Sequence, residues 1–292
     1  MNSIPDGVVS ASRRALDRRV RILVVVATVV VAGALVGTMA QARARPSGPV
    51  DVLYAGSLFN VMQRQLGPAF HRATGYHVVG ISNGSSALAS EIKGGTVVGD
   101  VFLSASPRAD RSLQGASNGR WVHTYAVFAT SPLELAYNPR SRFASALRTA
   151  PWFNVVTKAN FLLGRTDPTS DPKGVLAVEA LRATARRLRK PALLALATST
   201  SNVFQETAMI GELEAGQLDA GFFYAVEAKG AHLPTVPLTG TTLVATYTAA
   251  VLNRAPHRAA ARAFVKFLAS RAGREILAAN DLTPAAPARS TP

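Results

Sequence analysis

From about residue 50 onward, short apolar runs alternate with segments in which hydrophobic residues recur every three or four positions. The apolar runs end at Gly, Ser or Asn and predict β-strands, whereas the three-to-four spacing predicts helices. Strands are predicted at residues 52–55, 77–81, 101–103, 133–137, 220–224 and 242–251. Helices are predicted at residues 175–188, 206–215 and 259–278, with shorter ones after residues 57 and 86. This alternation indicates an α/β protein that holds its ligand at the carboxyl ends of the strands.

The first 45 residues follow a different pattern. Arginines cluster before an uncharged apolar run at 22–39, and small residues then alternate at 40–44. This order is typical of an export signal, and the run is also long enough for a membrane anchor. We therefore expect residues 1–45 to be a signal peptide or an N-terminal membrane anchor. In both cases the rest is exported, to the periplasm or the outer face of the cytoplasmic membrane, and an uncleaved segment would contact the membrane surface.

The composition narrows the possible functions. The 292 residues include no cysteine, which excludes disulfides, thiolate metal sites and a lipidated cysteine anchor. The formal net charge is +15, and a basic protein attracts anions. The densest basic run, at 186–190, has no interleaved aromatic residues and is expected to cover a solvated helix face. Nucleic acid is therefore not predicted as a partner.

Two serine-containing turns stand where a strand leads into a helix. Ser57 follows Gly56, and Ser85 follows Gly84. A helix N-terminus presents unpaired N–H groups and the positive end of a dipole, and a neighbouring hydroxyl adds a donor, so such turns can bind an anion. Ordinary N-capping is the alternative for each turn taken alone.

The order of the motifs resembles that of the molybdate- and tungstate-binding periplasmic proteins. Six segments carry the resemblance: Tyr54–Leu58, Asn83–Ser86, Asp100–Ser106, Gly164–Gly174, Glu206 and Leu213–Tyr224. The resemblance covers residues 52–278. The stretch at 182–200 departs from the family, because it is short and rich in Ala and Arg.

The resemblance implies a type II periplasmic-binding-protein fold, which is an α/β architecture with two lobes. Lobe one would contain residues 50–129 and 243–283, and lobe two would contain 130–242. Crossing segments near 130–132 and 240–242 would form the hinge. The implied function is that of an ABC importer's solute-binding protein for tungstate or molybdate, with a permease and an ATPase as partners and with neither catalysis nor a cofactor.

The resemblance also implies five ligand-binding residues: Ser57, Ser85, Asp167, Glu206 and Tyr224. The serines and the tyrosine would donate hydrogen bonds, whereas Asp167 and Glu206 would bond to Mo or W and make it six-coordinate. Asp171 stands close by as a competitor of Asp167. In the enterobacterial-type binders, backbone N–H groups, here near Lys173 and Thr207, take the place of the carboxylates. Each carboxylate also has an ordinary structural alternative, an Asx turn for Asp167 and a first-turn helix residue for Glu206.

Two rival functions are also considered. One is binding of another anion, such as sulfate or phosphate, although an ionised carboxylate repels a dianion that cannot accept extra ligands. The other is an exported serine hydrolase, because Gly80–Gly84 fits the nucleophile-elbow pattern around Ser82. Its partners would be Asp219 and either His232 or His257. Too few strands precede Ser82 for that fold.

Overall fold

The computed structural model describes residues 46–286, so the predicted signal or anchor segment lies outside the described residues. Within that range no helix is both long and apolar enough to cross a membrane. The strands are β1 Gly48–Ala55, β2 Tyr76–Asn83, β3 Val101–Ser104, β4 Ala126–Tyr137, β5 Leu163–Thr166, β6 Val203–Phe204, β7 Ala220–Tyr224, β8 Thr235–Pro237, β9 Val244–Val251 and β10 Thr283–Pro284.

Helices connect most of these strands. They are α1 Phe59–Val61, α2 Gly67–Thr74, α3 Ser85–Gly94, α4 Pro107–Arg111, α5 Ala144–Thr149, α6 Trp152–Val155, α7 Pro172–Leu188, α8 Pro191–Thr198, α9 Met209–Glu214, α10 Ala225–Gly230, α11 Arg258–Ala269 and α12 Arg271–Ala279. Two further helical turns adjoin α1: a 3-10 turn at Gly56–Leu58 and a π-helical segment at Met62–Leu66. The structure therefore shows the mixed α/β alternation that the hydrophobic pattern predicts.

The strands follow one hydrogen-bonded path in the order β2–β1–β3–β9–β4–β7–β5–β6, while β8 and β10 pair with β4. Strand β1 runs parallel to β2 and β3, and β9 runs antiparallel to β3 and β4. Strand β4 joins the two halves of this path, because residues 126–132 pair with β9 and residues 133–137 pair with β7. The predicted crossing at 130–132 thus lies inside β4, and residues 240–242 lead into β9. The lobe boundaries themselves stay a prediction.

Strand β1 lies inside the sheet, between β2 and β3, and residues 52–54 are apolar on both of its faces. Val52, Leu53 and Tyr54 are each at most 1% exposed, as expected for a strand covered by helices on two sides. The register pairs Leu53 with Ile81 on β2 and with Phe102 on β3. This pairing aligns the carboxyl ends of the three parallel strands at one edge of the sheet.

Two helices differ from the sequence prediction. The helix predicted at 206–215 begins only at Met209, because the chain around Glu206 is a turn. The helix predicted at 259–278 is broken at Ser270, whose backbone is extended and whose hydroxyl accepts a hydrogen bond from Gly273 N at 3.2 Å. A side chain at Gly273 would overlap the carbonyl oxygen of Phe267, so this tight corner requires glycine.

The core on one face of β1 is formed by aromatic side chains. Phe264 on α11 meets Phe70 on α2 edge to face, with ring centroids 5.0 Å apart, and Phe267 lies 5.7 Å from the same ring. Phe70 and Phe264 are fully buried. Loss of the Phe264 ring should cost about 3–5 kcal/mol. This packing holds the C-terminal helices against the strand that ends in the first serine turn.

Candidate functional site

The first serine turn lies at the carboxyl end of β1. Ser57 is 5% exposed, and its Oγ lies 2.8 Å from the hydroxyl oxygen of Tyr247 on β9. The preceding Gly56 lies against the carboxylate of Glu206, and a side chain at Gly56 would overlap that carboxylate. The sequence Gly56–Ser57 therefore allows a distant acidic residue to reach the end of β1.

The second serine turn begins α3 but is engaged differently. Ser85 is buried, and its Oγ accepts a hydrogen bond from the backbone N–H of Ala105 at 3.0 Å. The Ala87 N–H donates to the carbonyl of Ser170 at 3.0 Å, so part of the helix N-terminus is already occupied. Neither serine is an N-cap, since those positions are held by Ala55 before Ser57 and by Gly84 before Ser85.

The two aspartates of the Asp-Pro turn have different environments. Asp167 is partly exposed and accepts a hydrogen bond from Thr169 N at 2.8 Å, which is the Asx-turn alternative. This bond holds the pKa of Asp167 below its ordinary value. Asp171 is 4% exposed and caps α7, with Oδ1 accepting from Lys173 N at 3.0 Å. The structure therefore places Asp171, rather than Asp167, among the other buried polar groups.

A buried lysine lies between two glutamates. The Lys173 side chain is fully buried, and its Nζ donates to both carboxylate oxygens of Glu227, at 2.7 and 2.8 Å. The same Nζ is 3.7 Å from Glu206 Oε1, and the Glu206 side chain is 6% exposed. Glu227 lies in the first turn of α10 and accepts a hydrogen bond from Tyr224 N at 3.4 Å. The ammonium group thus offsets part of the negative charge of this region.

Two tyrosines complete the arrangement. The ring of Tyr224, at the end of β7, lies 6.1 Å from that of Tyr247 at an interplanar angle of 75°. Both rings are at most 1% exposed. Burial raises the pKa of Tyr224 well above its ordinary value, and the charge of Asp171 raises it further, so the phenol stays protonated and can donate.

These residues form what we call the polar cluster: Ser57, Asp171, Lys173, Glu206, Tyr224, Glu227 and Tyr247. Three buried atoms of the cluster lack a hydrogen-bond partner among the described residues: Asp171 Oδ2, Glu206 Oε2 and Tyr224 Oη. Buried polar atoms are normally paired, so three unpaired atoms within one cluster are groups that a bound ligand could satisfy.

Burial and the neighbouring charges together shift the pKa values of Glu206 and Lys173. Burial raises the pKa of Glu206 to about 8, against the opposing attraction of Lys173. Burial alone would lower the pKa of Lys173, but the charges of Glu227, Glu206 and Asp171 outweigh it and raise that pKa above its ordinary value. Lys173 is therefore a permanent cation in this site.

A cavity of about 230 Å³ adjoins the cluster. It is lined by Gly56, Ser57, Phe59, Asn60, Ser82, Glu206, Thr207, Ile210 and Glu227. Hydroxyl groups and two carboxylates thus share the wall with apolar side chains, so a small polar ligand could reach Glu206 from this side.

The hydrolase partners are not brought together. The Asp219 carboxylate accepts from a serine hydroxyl and a backbone N–H, and the His257 ring lies 2.9 Å from Asp100. Neither His232 nor His257 is hydrogen-bonded to Ser82 or Asp219 in the range 46–286. A Ser–His–Asp arrangement is therefore not formed by these residues.

Sequence reasoning missed two members of the cluster and the side chain of a third. Tyr247 was only part of a predicted strand, and Glu227 fits the ordinary pattern of an acidic residue in a first helical turn. Lys173 was considered for its backbone N–H, but that N–H donates to Asp171 and is not free for a ligand. The one available signal was the lysine itself, at the apolar start of a helix.

A family model described as bacterial extracellular solute-binding protein matches residues 50–280. The chain belongs to this family. The molybdate/tungstate-binding protein WtpA of Pyrococcus abyssi is 26% identical over 215 residues, which cover 55% of this chain and 62% of that protein. The chain thus spans less than two thirds of the length of this relative.

Solved structures confirm the fold of this solute-binding protein. The periplasmic molybdate-binding protein of Azotobacter vinelandii has a TM-score of 0.62 at 18% identity, covering 82% of this chain and 99% of that one. The sulfate-binding protein SubI of Mycobacterium tuberculosis has a TM-score of 0.65 at 16% identity, covering 82% and 88%. The predicted periplasmic-binding-protein fold is confirmed. The family and the fold are those of transporter solute-binding proteins rather than enzymes, and the family is extracytoplasmic.

Proposed function

We propose that this solute-binding protein captures tungstate or molybdate for an ABC importer. The observation that carries the proposal is the set of three unpartnered buried atoms, Asp171 Oδ2, Glu206 Oε2 and Tyr224 Oη. Such atoms cost free energy in the unliganded protein, about 1–3 kcal/mol for each unsatisfied group. A ligand that offers both an acceptor and a site for carboxylate oxygens would satisfy all three.

An oxyanion of molybdenum or tungsten has this chemistry. Its oxo groups accept hydrogen bonds from Tyr224 and from Ser57, while its metal centre can take two further oxygen ligands from Asp171 and Glu206. Glu206, whose pKa of about 8 keeps it mainly protonated at neutral pH without ligand, would release that proton on bonding to the metal centre. Sulfate cannot expand its coordination shell, so it gains no such bond, and the carboxylate oxygens of Asp171 would face its oxygens and repel them in a partly desolvated site. The two acids therefore favour the heavier oxyanions over sulfate.

Asp171 replaces Asp167 in this proposal. Asp171 is buried with one free oxygen, whereas Asp167 is partly exposed and bonded within its own turn. Ser85 is retained as a donor, because a hydroxyl that accepts from Ala105 N keeps its own hydrogen. It follows Gly84, whose backbone lies against Asp171.

The chain order supports a site between two lobes, with lobe one as residues 50–129 and 243–283 and lobe two as 130–242. Ser85 and the cluster residues Ser57 and Tyr247 come from the first set, and the other five cluster residues come from the second. Closure of the two lobes around the anion would produce the form that a membrane permease recognises, with an ATPase subunit supplying the energy. The protein would work in the periplasm or on the outer face of the cytoplasmic membrane.

Calorimetric titration of the purified protein with tungstate, molybdate, sulfate and phosphate tests the proposal. We expect tight binding of the first two and weak binding of the others. Glu206→Ala and Asp171→Asn should each weaken tungstate binding strongly, whereas the matched variant Asp167→Asn should not. Ser57→Ala should weaken the free energy of tungstate binding by ~1.5–3 kcal/mol, the value of one hydrogen bond to a charged group. Preference for sulfate or phosphate, or full affinity in Glu206→Ala, would contradict the proposal.

A further inference from the structure

The Lys173–Glu227 pair is the feature of the polar cluster that the proposed function leaves unexplained. Both side chains are nearly inaccessible, at 0% and 2% exposure, and both Glu227 oxygens accept from Lys173 Nζ. A buried ion pair generally does not stabilise a fold more than a well-packed apolar pair would, because both charges lose their hydration. A role in stability is therefore a weak explanation for it.

Geometry suggests a different role. Lys173 Nζ lies 2.7 Å from Glu227 Oε1 and 3.7 Å from Glu206 Oε1, so it hydrogen-bonds to Glu227 and makes only a longer ion pair with Glu206. Glu206 keeps one buried oxygen, Oε2, without a partner. If Glu227 did not hold the ammonium group, the nearest carboxylate available to it would be Glu206.

We propose that Glu227 is a positioning residue that holds Lys173 away from Glu206 and thereby sets the anion selectivity of the site. This inference rests on the proposed function. With Glu227 in place, Glu206 is free to bond to a metal centre, and the ammonium group supplies a fixed positive charge nearby. Without Glu227, the ammonium group of Lys173 moves closer to Glu206, its longer ion pair becomes a hydrogen bond, and Glu206 is removed as a ligand.

The two classes of oxyanion should then respond in opposite directions. Glu227→Gln removes one negative charge, so electrostatic attraction for any dianion increases. Tungstate nevertheless loses a carboxylate ligand, because Lys173 now occupies Glu206. Sulfate, which needs only donors and positive charge, loses nothing. General electrostatics alone would instead tighten the binding of both anions.

The experiment titrates wild type, Glu227→Gln and the double variant Glu227→Gln/Lys173→Met with tungstate and with sulfate. We expect the single variant to bind tungstate about tenfold more weakly or worse, with sulfate binding unchanged or tighter. The double variant should regain a preference for tungstate, because no ammonium group then competes for Glu206. Asp281→Asn is the matched control: it removes the Lys229–Asp281 ion pair, which is 3.0 Å long and about half exposed, outside the cluster.

The outcomes separate the two proposals. Wild-type protein that binds neither tungstate nor molybdate overturns the proposed function and this inference with it. If wild type binds tungstate but Glu227→Gln changes the affinities for tungstate and sulfate equally, only the inference is overturned. A single variant that fails to fold also overturns it, because Lys173 would then have had no alternative partner in Glu206. The inference also fails if the double variant does not regain its tungstate preference.

Discussion

Replacement of Tyr224 by phenylalanine should affect stability and binding in opposite directions. The Tyr224 hydroxyl is fully buried and has no partner among residues 46–286. An unsatisfied buried hydroxyl costs about 1–3 kcal/mol, so Tyr224→Phe should leave the unliganded protein equally stable or stabilise it by about 1 kcal/mol. In the complex the same hydroxyl donates to a charged oxo group. Its loss should cost ~1.5–3 kcal/mol, which weakens tungstate binding about 10- to 150-fold.

Tyr247→Phe is the matched control, since its ring packs against that of Tyr224. Its hydroxyl does have a partner, Ser57 Oγ at 2.8 Å. The control should therefore lose about 0.5–1.5 kcal/mol of stability without ligand. Urea denaturation of the unliganded proteins measures the free energy of unfolding, and calorimetry measures tungstate affinity. A Tyr224→Phe variant that is destabilised by ~1 kcal/mol or more, or that binds tungstate like wild type, would refute the reasoning.

Two further predictions concern charge and space near Glu206. The unliganded protein should lose stability as pH rises from about 5 to 8, because the folded state keeps protons on Glu206 (pKa about 8) and on buried Asp110 (pKa about 7) that the unfolded chain has released. Urea denaturation across this range should show a flatter slope in Glu206→Gln and in Asp110→Asn, and an unchanged slope in both would argue against these pKa values. Gly56→Ala should weaken tungstate binding about tenfold or more, because its methyl group would displace the Glu206 carboxylate, whereas Gly211→Ala, with open space around it, should leave calorimetric affinity unchanged.

Most strands and helices lie where the hydrophobic pattern predicts them, because that pattern depends on residues close together in the chain. Strands β1 and β7 are largely apolar runs, and their burial follows from the side chains they carry. The Gly56–Ser57 turn follows β1, and helix α10 begins directly after β7. Differences occur where a helix boundary depends on a contact that the hydrophobic pattern does not contain, a distant one at Glu206 and a local one at Ser270. The turn at Glu206 places its carboxylate beside Gly56, and the break at Ser270 depends on close packing at Gly273.

The sequence by itself determined the α/β alternation, the two serine turns and the order of motifs, because each depends on residues close together in the chain. Only the tertiary structure shows that Asp171 is buried and that Asp167 is partly exposed, because burial depends on the segments that surround each residue. It also revealed the contact of Lys173 with Glu227, 54 residues apart in the chain, and that of Ser57 with Tyr247, 190 residues apart. A buried charge is stable only with partners, and those partners come from distant segments that no local pattern specifies.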